Sequence, residues 1–138
     1  MSKDKEQKTM LVCDEAYLLI DPQVPQSLVF LRNIAKRCRK YEGSLVVISH
    51  SICDFLDDSV KMYGQAILDM ATYKILMGTD GKNLEETTEL FKLSEYQSDF
   101  LYAKKRSYAI FIIGAYRILV KFDIFPYEFN YYGKGGGR

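Results

Sequence analysis

Apolar and polar positions change rhythm along this chain, and each rhythm predicts an element. Met10, Leu11, Val12 and Cys13 run unbroken into Asp14 and Glu15, the pattern of a strand buried on both faces that delivers carboxylates at its C-terminal edge. Beyond Pro22 and Pro25, the residues Leu28, Leu31, Ile34, Ala35, Cys38 and Tyr41 recur at helical spacing, which predicts an amphipathic helix ended by Gly43. At about 100° per residue, Arg32, Lys36, Arg39 and Lys40 fall on the opposite arc and give that helix a basic, solvated face. Leu45, Val46, Val47 and Ile48 form a second apolar run that ends in Ser49, His50 and Ser51. Strand, helix and strand in this order predict a βαβ unit with parallel strands.

Residues 52–70 carry Phe55, Leu56, Ala66, Ile67 and Leu68 and predict a short helical region, and 73–77 predicts a third strand. Asp80-Gly81 marks a turn. Two helices are expected over 84–92 and 95–103, the second with Ser94 as N-cap and Gln97 three residues on, the spacing of a capping box. From Ser107 the period becomes strand-like: 110–113 and 116–122 flank Gly114-Ala115 and predict a C-terminal hairpin. Three consecutive glycines, Gly135 to Gly137, predict a frayed tail.

Composition bounds the class. With 138 residues, 48% hydrophobic and 27% charged, the chain has the material for one modest globular domain. Nineteen basic against eighteen acidic side chains leave a net charge of +1, so a nucleic-acid or lipid-surface role would need a local basic patch. Cys13, Cys38 and Cys53 are odd in number and lack CxxC spacing, with His50 the single histidine, so neither a disulfide framework nor a zinc site is indicated. The first ten residues carry no apolar run and no stretch reaches the ~18 to 20 apolar residues that cross a bilayer, which predicts a cytosolic chain.

The chemistry concentrates at the tips of the first two predicted strands. An apolar run closed by Asp-Glu has a mechanical use in nucleoside triphosphatases: the Asp holds the water shell of Mg²⁺ and the Glu polarises the attacking water. The same string also describes a strand end merely solvated by its acids. A basic helix follows, and then a second strand whose tip, Ser49-His50, is placed to sense a γ-phosphate.

Taken in order, Met10-Leu11-Val12-Cys13-Asp14-Glu15-Ala16-Tyr17, Phe30-Leu31-Arg32-Asn33, Lys36-Arg37 through Arg39-Lys40-Tyr41, Val46-Val47-Ile48-Ser49, Asp54-Phe55-Leu56 and the closing Gly133-Lys134-Gly135-Gly136-Gly137-Arg138 resemble the conjugative-transfer ATPases of type IV secretion systems, of the VirB/TraC/TraE kind carried by Gram-positive conjugative transposons. The resemblance implies a fold that is α/β, the C-terminal part of a RecA-like P-loop NTPase domain with a mostly parallel sheet, flanking helices and a C-terminal antiparallel hairpin. It implies residues 1–8 as a flexible extension, 9–127 as a partial ATPase domain and 128–138 as a glycine-rich tail. Asp14 is then the Walker B aspartate holding Mg²⁺ through water, Glu15 the catalytic base, Ser49 and His50 the nucleotide-facing pair, and Arg39 an arginine acting in trans, as in related hexameric motors of the HerA and FtsK kind. His50 departs from the glutamine more usual in the family.

Walker A, the phosphate-cradling G-x-x-x-x-G-K-[ST], is missing. Gly133 to Arg138 does not supply it, because Lys134 is followed by Gly135. The chain is therefore expected to be one piece of a longer ATPase, without ATP or Mg²⁺ of its own and inactive in isolation. In the parent, the resemblance implies ATP and Mg²⁺, other copies in a hexamer, conjugation-channel components and DNA as partners, and a cytoplasmic position at the inner membrane face. The Walker A strand would lie between strands 45–48 and 73–77, so here those two are expected to close directly on each other in a shrunken sheet or, less favoured, to make the chain self-associate through strand edges. A different class of function is also open: a stand-alone interaction module whose basic helix docks on a secretion partner or nucleic acid.

Overall fold

The structure, a computed structural model, describes residues 8–20, 23–128 and Tyr131. The expected N-terminal extension and glycine-rich tail fall almost wholly outside the described residues. The fold is α/β and divides into two compact units, one of residues 1–72 with 81–93 and one of residues 73–80 with 94–138.

In the first unit, β1 (Thr9–Cys13) and β2 (Gly43–Val47) form a parallel pair in the register Thr9 to Gly43 through Cys13 to Val47. Helix α1 (Pro25–Arg37) crosses between them and tightens into a 3₁₀ turn, Cys38–Tyr41, which gives the expected βαβ connection. Three short or medium helices follow in this unit: α2 (Cys53–Leu56), α3 (Lys61–Met70) and, after an excursion, α4 (Gly81–Phe91). One core holds the unit together: Ala16, Ile20, Leu28, Leu31, Phe55, Val60 and Ile67 are buried, and Cys13, Leu45, Val47, Tyr63 and Leu68 pack against them. In β2 the inward positions Leu45 and Val47 alternate as the two-residue period requires, while β1 contributes Cys13 alone. Where α2 meets α3 the backbones come so close that a Cβ on Gly64 would lie 1.9 Å from the carbonyl oxygen of Phe55, so this crossing needs glycine.

The second unit is an antiparallel sheet, β3 (Tyr73–Met77), β4 (Tyr108–Ile113) and β5 (Tyr116–Lys121), in that order, with α5 (Glu95–Tyr102) packed on β4. Central β4 carries the core of this unit: Ala109, Ile110 and Ile112 are buried, as is Leu101 of α5. The hairpin turn is Gly114-Ala115, with positive φ at Gly114 alone, the backbone that favours glycine at the first turn position. Helix α5 opens with the expected capping box: Ser94 Oγ accepts from the Gln97 amide and Gln97 Oε1 accepts from the Ser94 amide.

Several expectations need correction. The mostly parallel sheet is not what the described strands form, since one ladder is parallel and two are antiparallel. Strands β1 and β2 are not buried on both faces: Met10 and Val12 are 65% and 53% exposed, because each strand has a single neighbour and the core lies on one side only. Among the described strands β2 pairs with β1 alone and β3 with β4 alone, so the two strands expected to close directly on each other each keep an open edge. Gly43 does not end the helix. Glu42 takes the left-handed conformation, φ 51°, and its amide donates back to Arg39, which frees Gly43 to start β2. Finally, Arg32 is not on the solvated face; it is half-buried with its guanidinium 5.1 Å above the ring of Tyr63, a cation–π contact.

Candidate functional site

The site is built at the C-terminal ends of β1 and β2. The parallel ladder continues one step past each strand, the Ile48 amide donating to Cys13 O and the Ala16 amide to Ile48 O, each at 2.9 Å. The backbone between these two bonds is Asp14-Glu15, forced out of the ladder like a bulge. Glu15 reverses the chain by taking φ 51°, ψ 47°, a left-handed conformation costing roughly 1–2 kcal/mol for a residue with a Cβ. The return is chemical. The two consecutive acids are both exposed and make different contacts, while Ala16 is drawn into the core with no exposed surface.

Asp14 Oδ1 accepts the Glu15 amide at 2.9 Å, which fixes one carboxylate oxygen on the backbone and leaves the other for a ligand. Glu15 has a different partner: its Oε2 lies 3.3 Å from Nδ1 of His50, at the tip of β2, with both side chains more than half exposed. The His50 ring also meets the edge of Tyr17, centroids 4.8 Å apart at 68°. Asp14, Glu15 and His50 thus gather at one sheet edge, the place where open parallel sheets bind their ligands. Ser49 behaves differently, for its hydroxyl donates to Ser51 O at 3.3 Å and accepts the Ser51 amide at 3.4 Å, a local turn.

Arg39 lies at the other end. It sits in the 3₁₀ turn just before β2, whose first residue pairs with Thr9, so the length of a five-residue strand, about 13 Å at 3.3 Å per residue, separates its backbone level from that of Asp14. Its side chain is exposed and has no ion-pair partner among the described residues.

Two participants had no role in the sequence reading. Tyr17 was legible only as part of the quoted Asp14 to Tyr17 string. Asn83 of α4 hydrogen-bonds Ser51 and the Cys53 amide and carried no signal at all. A cleft of about 410 Å³ beside Tyr17 is lined by Asp54, Asp57 and Glu86 against Lys82, an acidic lining that would repel a polyphosphate. There the Ser59 hydroxyl and amide, donating to Asp57, hold its carboxyl below the ordinary range. No group of three or more metal-ligating side chains is assembled among the described residues, and no helix there is long and apolar enough to cross a membrane.

No family model matches the chain, and no curated protein matches it. Among solved structures it is similar to VirB4 of Thermoanaerobacter pseudethanolicus, at 48% sequence identity and a TM-score of 0.86, over 94% of this chain and 35% of that one. The chain therefore belongs to the conjugative-transfer ATPase family that its motifs resemble, and it is a segment of the VirB4 type. It spans about a third of the length of that relative.

Proposed function

We propose that this segment supplies the water-activating half of an ATPase that powers conjugative DNA transfer or type IV secretion, in a RecA-like domain completed by the rest of the parent chain. The observation that carries the reading is the left-handed turn at Glu15, which splits Asp14 from Glu15 at a parallel strand's tip and sets Glu15 against His50. Asp14 suits Mg²⁺: that ion keeps most of its water and takes one or two carboxylates plus substrate phosphates, so one exposed carboxylate is enough and no closed cage is needed. When bound, Mg²⁺ would neutralise charge on the phosphates. Glu15 takes the proton of the attacking water, and His50 orients the Glu15 carboxylate by donating from Nδ1, a role nearer to the base than the phosphate-sensing first expected of it. With its hydroxyl turned onto Ser51, Ser49 shapes the loop that faces the nucleotide.

Arg39, exposed and remote from its own Asp14, is suited to reach a neighbouring copy's site, as an arginine acting in trans must. Partners on this reading are further copies in a hexamer, channel components and DNA, at the cytoplasmic membrane face. Among the described strands β2 and β3 each keep an open edge, which speaks against the sheet order that sets a Walker A strand between them. Without that phosphate cradle the isolated segment holds no ATP.

In the full-length parent, Glu15→Gln is expected to keep nucleotide binding and lose turnover; unchanged turnover would move the base elsewhere. For the isolated chain, calorimetry is expected to show no MgATP binding, and micromolar affinity abolished by Asp14→Ala would overturn that. Mixing Arg39→Ala with Glu15→Gln subunits of the parent restores partial activity if the two residues meet across an interface. The exposed run of Lys36, Arg37, Arg39 and Lys40 favours a second reading, a docking module for nucleic acid. That reading requires salt-sensitive DNA binding by the isolated chain that is lost when Lys36 and Arg39 are reversed to Glu.

A further inference from the structure

The loop that carries His50 is pinned from a distance. Asn83, on the first turn of α4 and 32 residues from Ser51, accepts the Ser51 hydroxyl at Oδ1 over 3.0 Å and the Cys53 amide over 3.4 Å. An amide N–H can only donate, and a hydroxyl rotates to suit, so the oxygen end of Asn83 must face the loop. Ser51 is held from its other side by the Ser49 hydroxyl. His50 therefore stands between two anchored residues, although its own side chain is 68% exposed and no covering layer fixes it. An exposed side chain left to itself samples several rotamers, yet this one is set against both Glu15 Oε2 and the Tyr17 ring edge.

We propose that Asn83 is a positioning residue that, by clamping Ser51 and Cys53, keeps the His50 imidazole on Glu15. The proposal rests on the reading of Glu15 as the base, but concerns how its partner is held rather than whether Glu15 acts. It has one chemical requirement, an acceptor oxygen at the Asn83 position. Asparagine and aspartate both satisfy that requirement, and alanine does not.

Because His50 is the single histidine of the chain, its ring protons give one isolated set of NMR signals. In the unaltered chain these are expected to show cross-relaxation with the Tyr17 ring, whose centroid lies 4.8 Å away. Asn83→Ala is expected to abolish that cross-peak and to speed hydrogen exchange at the Cys53 amide about tenfold, the loss of one hydrogen bond's protection. Asn83→Asp keeps both signatures. Ser51→Ala, which removes one donor and leaves the Cys53 bond, weakens the cross-peak while Cys53 exchange stays within about threefold, and serves if Asn83→Ala fails to fold. An intact Tyr17–His50 contact in folded Asn83→Ala, an intact one in Ser51→Ala, or an Asn83→Asp variant that behaves like Asn83→Ala overturns the proposal. None of these readouts involves hydrolysis, so active Glu15→Gln in the parent would remove the base and leave the clamp standing, and a failed clamp would leave the base untouched.

Discussion

β1 and β4 share an apolar vocabulary but differ in burial. Met10 to Cys13 and Ala109 to Ile113 are both unbroken apolar runs, yet Met10 and Val12 face solvent while Ala109 and Ile110 have no exposed surface. The difference is position in a sheet. β4 has a strand on each side and α5 packed on it, whereas β1 has one neighbour and a core on one face. An apolar run therefore encodes the capacity to be covered; the neighbours decide whether it is. The two regions also place their polar atoms differently, for the first unit sets its acids at the end of a parallel ladder and the second has no such tip, only a hairpin.

The sharpest way to break this comparison is by truncation. Leu31→Ala in the first unit and Ile110→Ala in the second, at side chains 1% and 0% exposed, are each expected to cost about 2–5 kcal/mol in urea unfolding. Ile75→Ala on β3, 53% exposed, should cost less than about 1 kcal/mol. If Ile75→Ala matched Ile110→Ala, the outer face of that sheet would be covered in solution and the contrast would vanish. Helix starts offer the next test. α5 has its capping box and α1 has no side-chain cap, so Ser94→Ala is expected to destabilise by about 1 kcal/mol; an unchanged urea midpoint would make the box decorative.

A smaller effect of opposite sign belongs to the strand tip. Glu15→Gly relieves the left-handed conformation and should stabilise the chain by about 0.5–1 kcal/mol, net of glycine's greater freedom when unfolded, while deleting the carboxylate. A loss of stability instead would show that the contact with His50 outweighs the strain. The smallest expected effect is in pH. Hydrogen bonds from Ser59 keep the Asp57 carboxyl below the ordinary 3.8. Its folded value lies under its unfolded one, so its stabilisation is complete above the unfolded value and is lost as pH falls through the folded one. The stability gap between the chain and Asp57→Asn should therefore narrow as pH falls through and below the ordinary carboxylate range, and a gap that stays constant would remove Asp57 from the account.

Local patterns were legible where they were sufficient. Ser94 with Gln97, Gly114-Ala115 and the βαβ order each act over a few residues or one connection, and the structure has all three. The acids at the tip of β1 were likewise readable, because an apolar run must end where they begin. What stayed hidden depended on neighbours. The register of Gly43 was misread because Glu42 accepts the left-handed turn usually left to glycine. Arg32 was drawn inward by Tyr63, 31 positions on, and Asn83 acts on a loop 30 residues before it; neither partner leaves a mark in the local pattern. The Glu15 to His50 contact joins the two in space only once parallel pairing sets Cys13 beside Val47.

The open edges of β2 and β3 make concentration a chemical variable for this chain. Among the described strands each presents a row of amides and carbonyls about 13 Å long, ready to template a strand from any source. A short β-prone peptide supplied separately would compete for the same rows as a second copy of the chain. Sedimentation at rising concentration, with and without that peptide, would show the two occupants displacing one another.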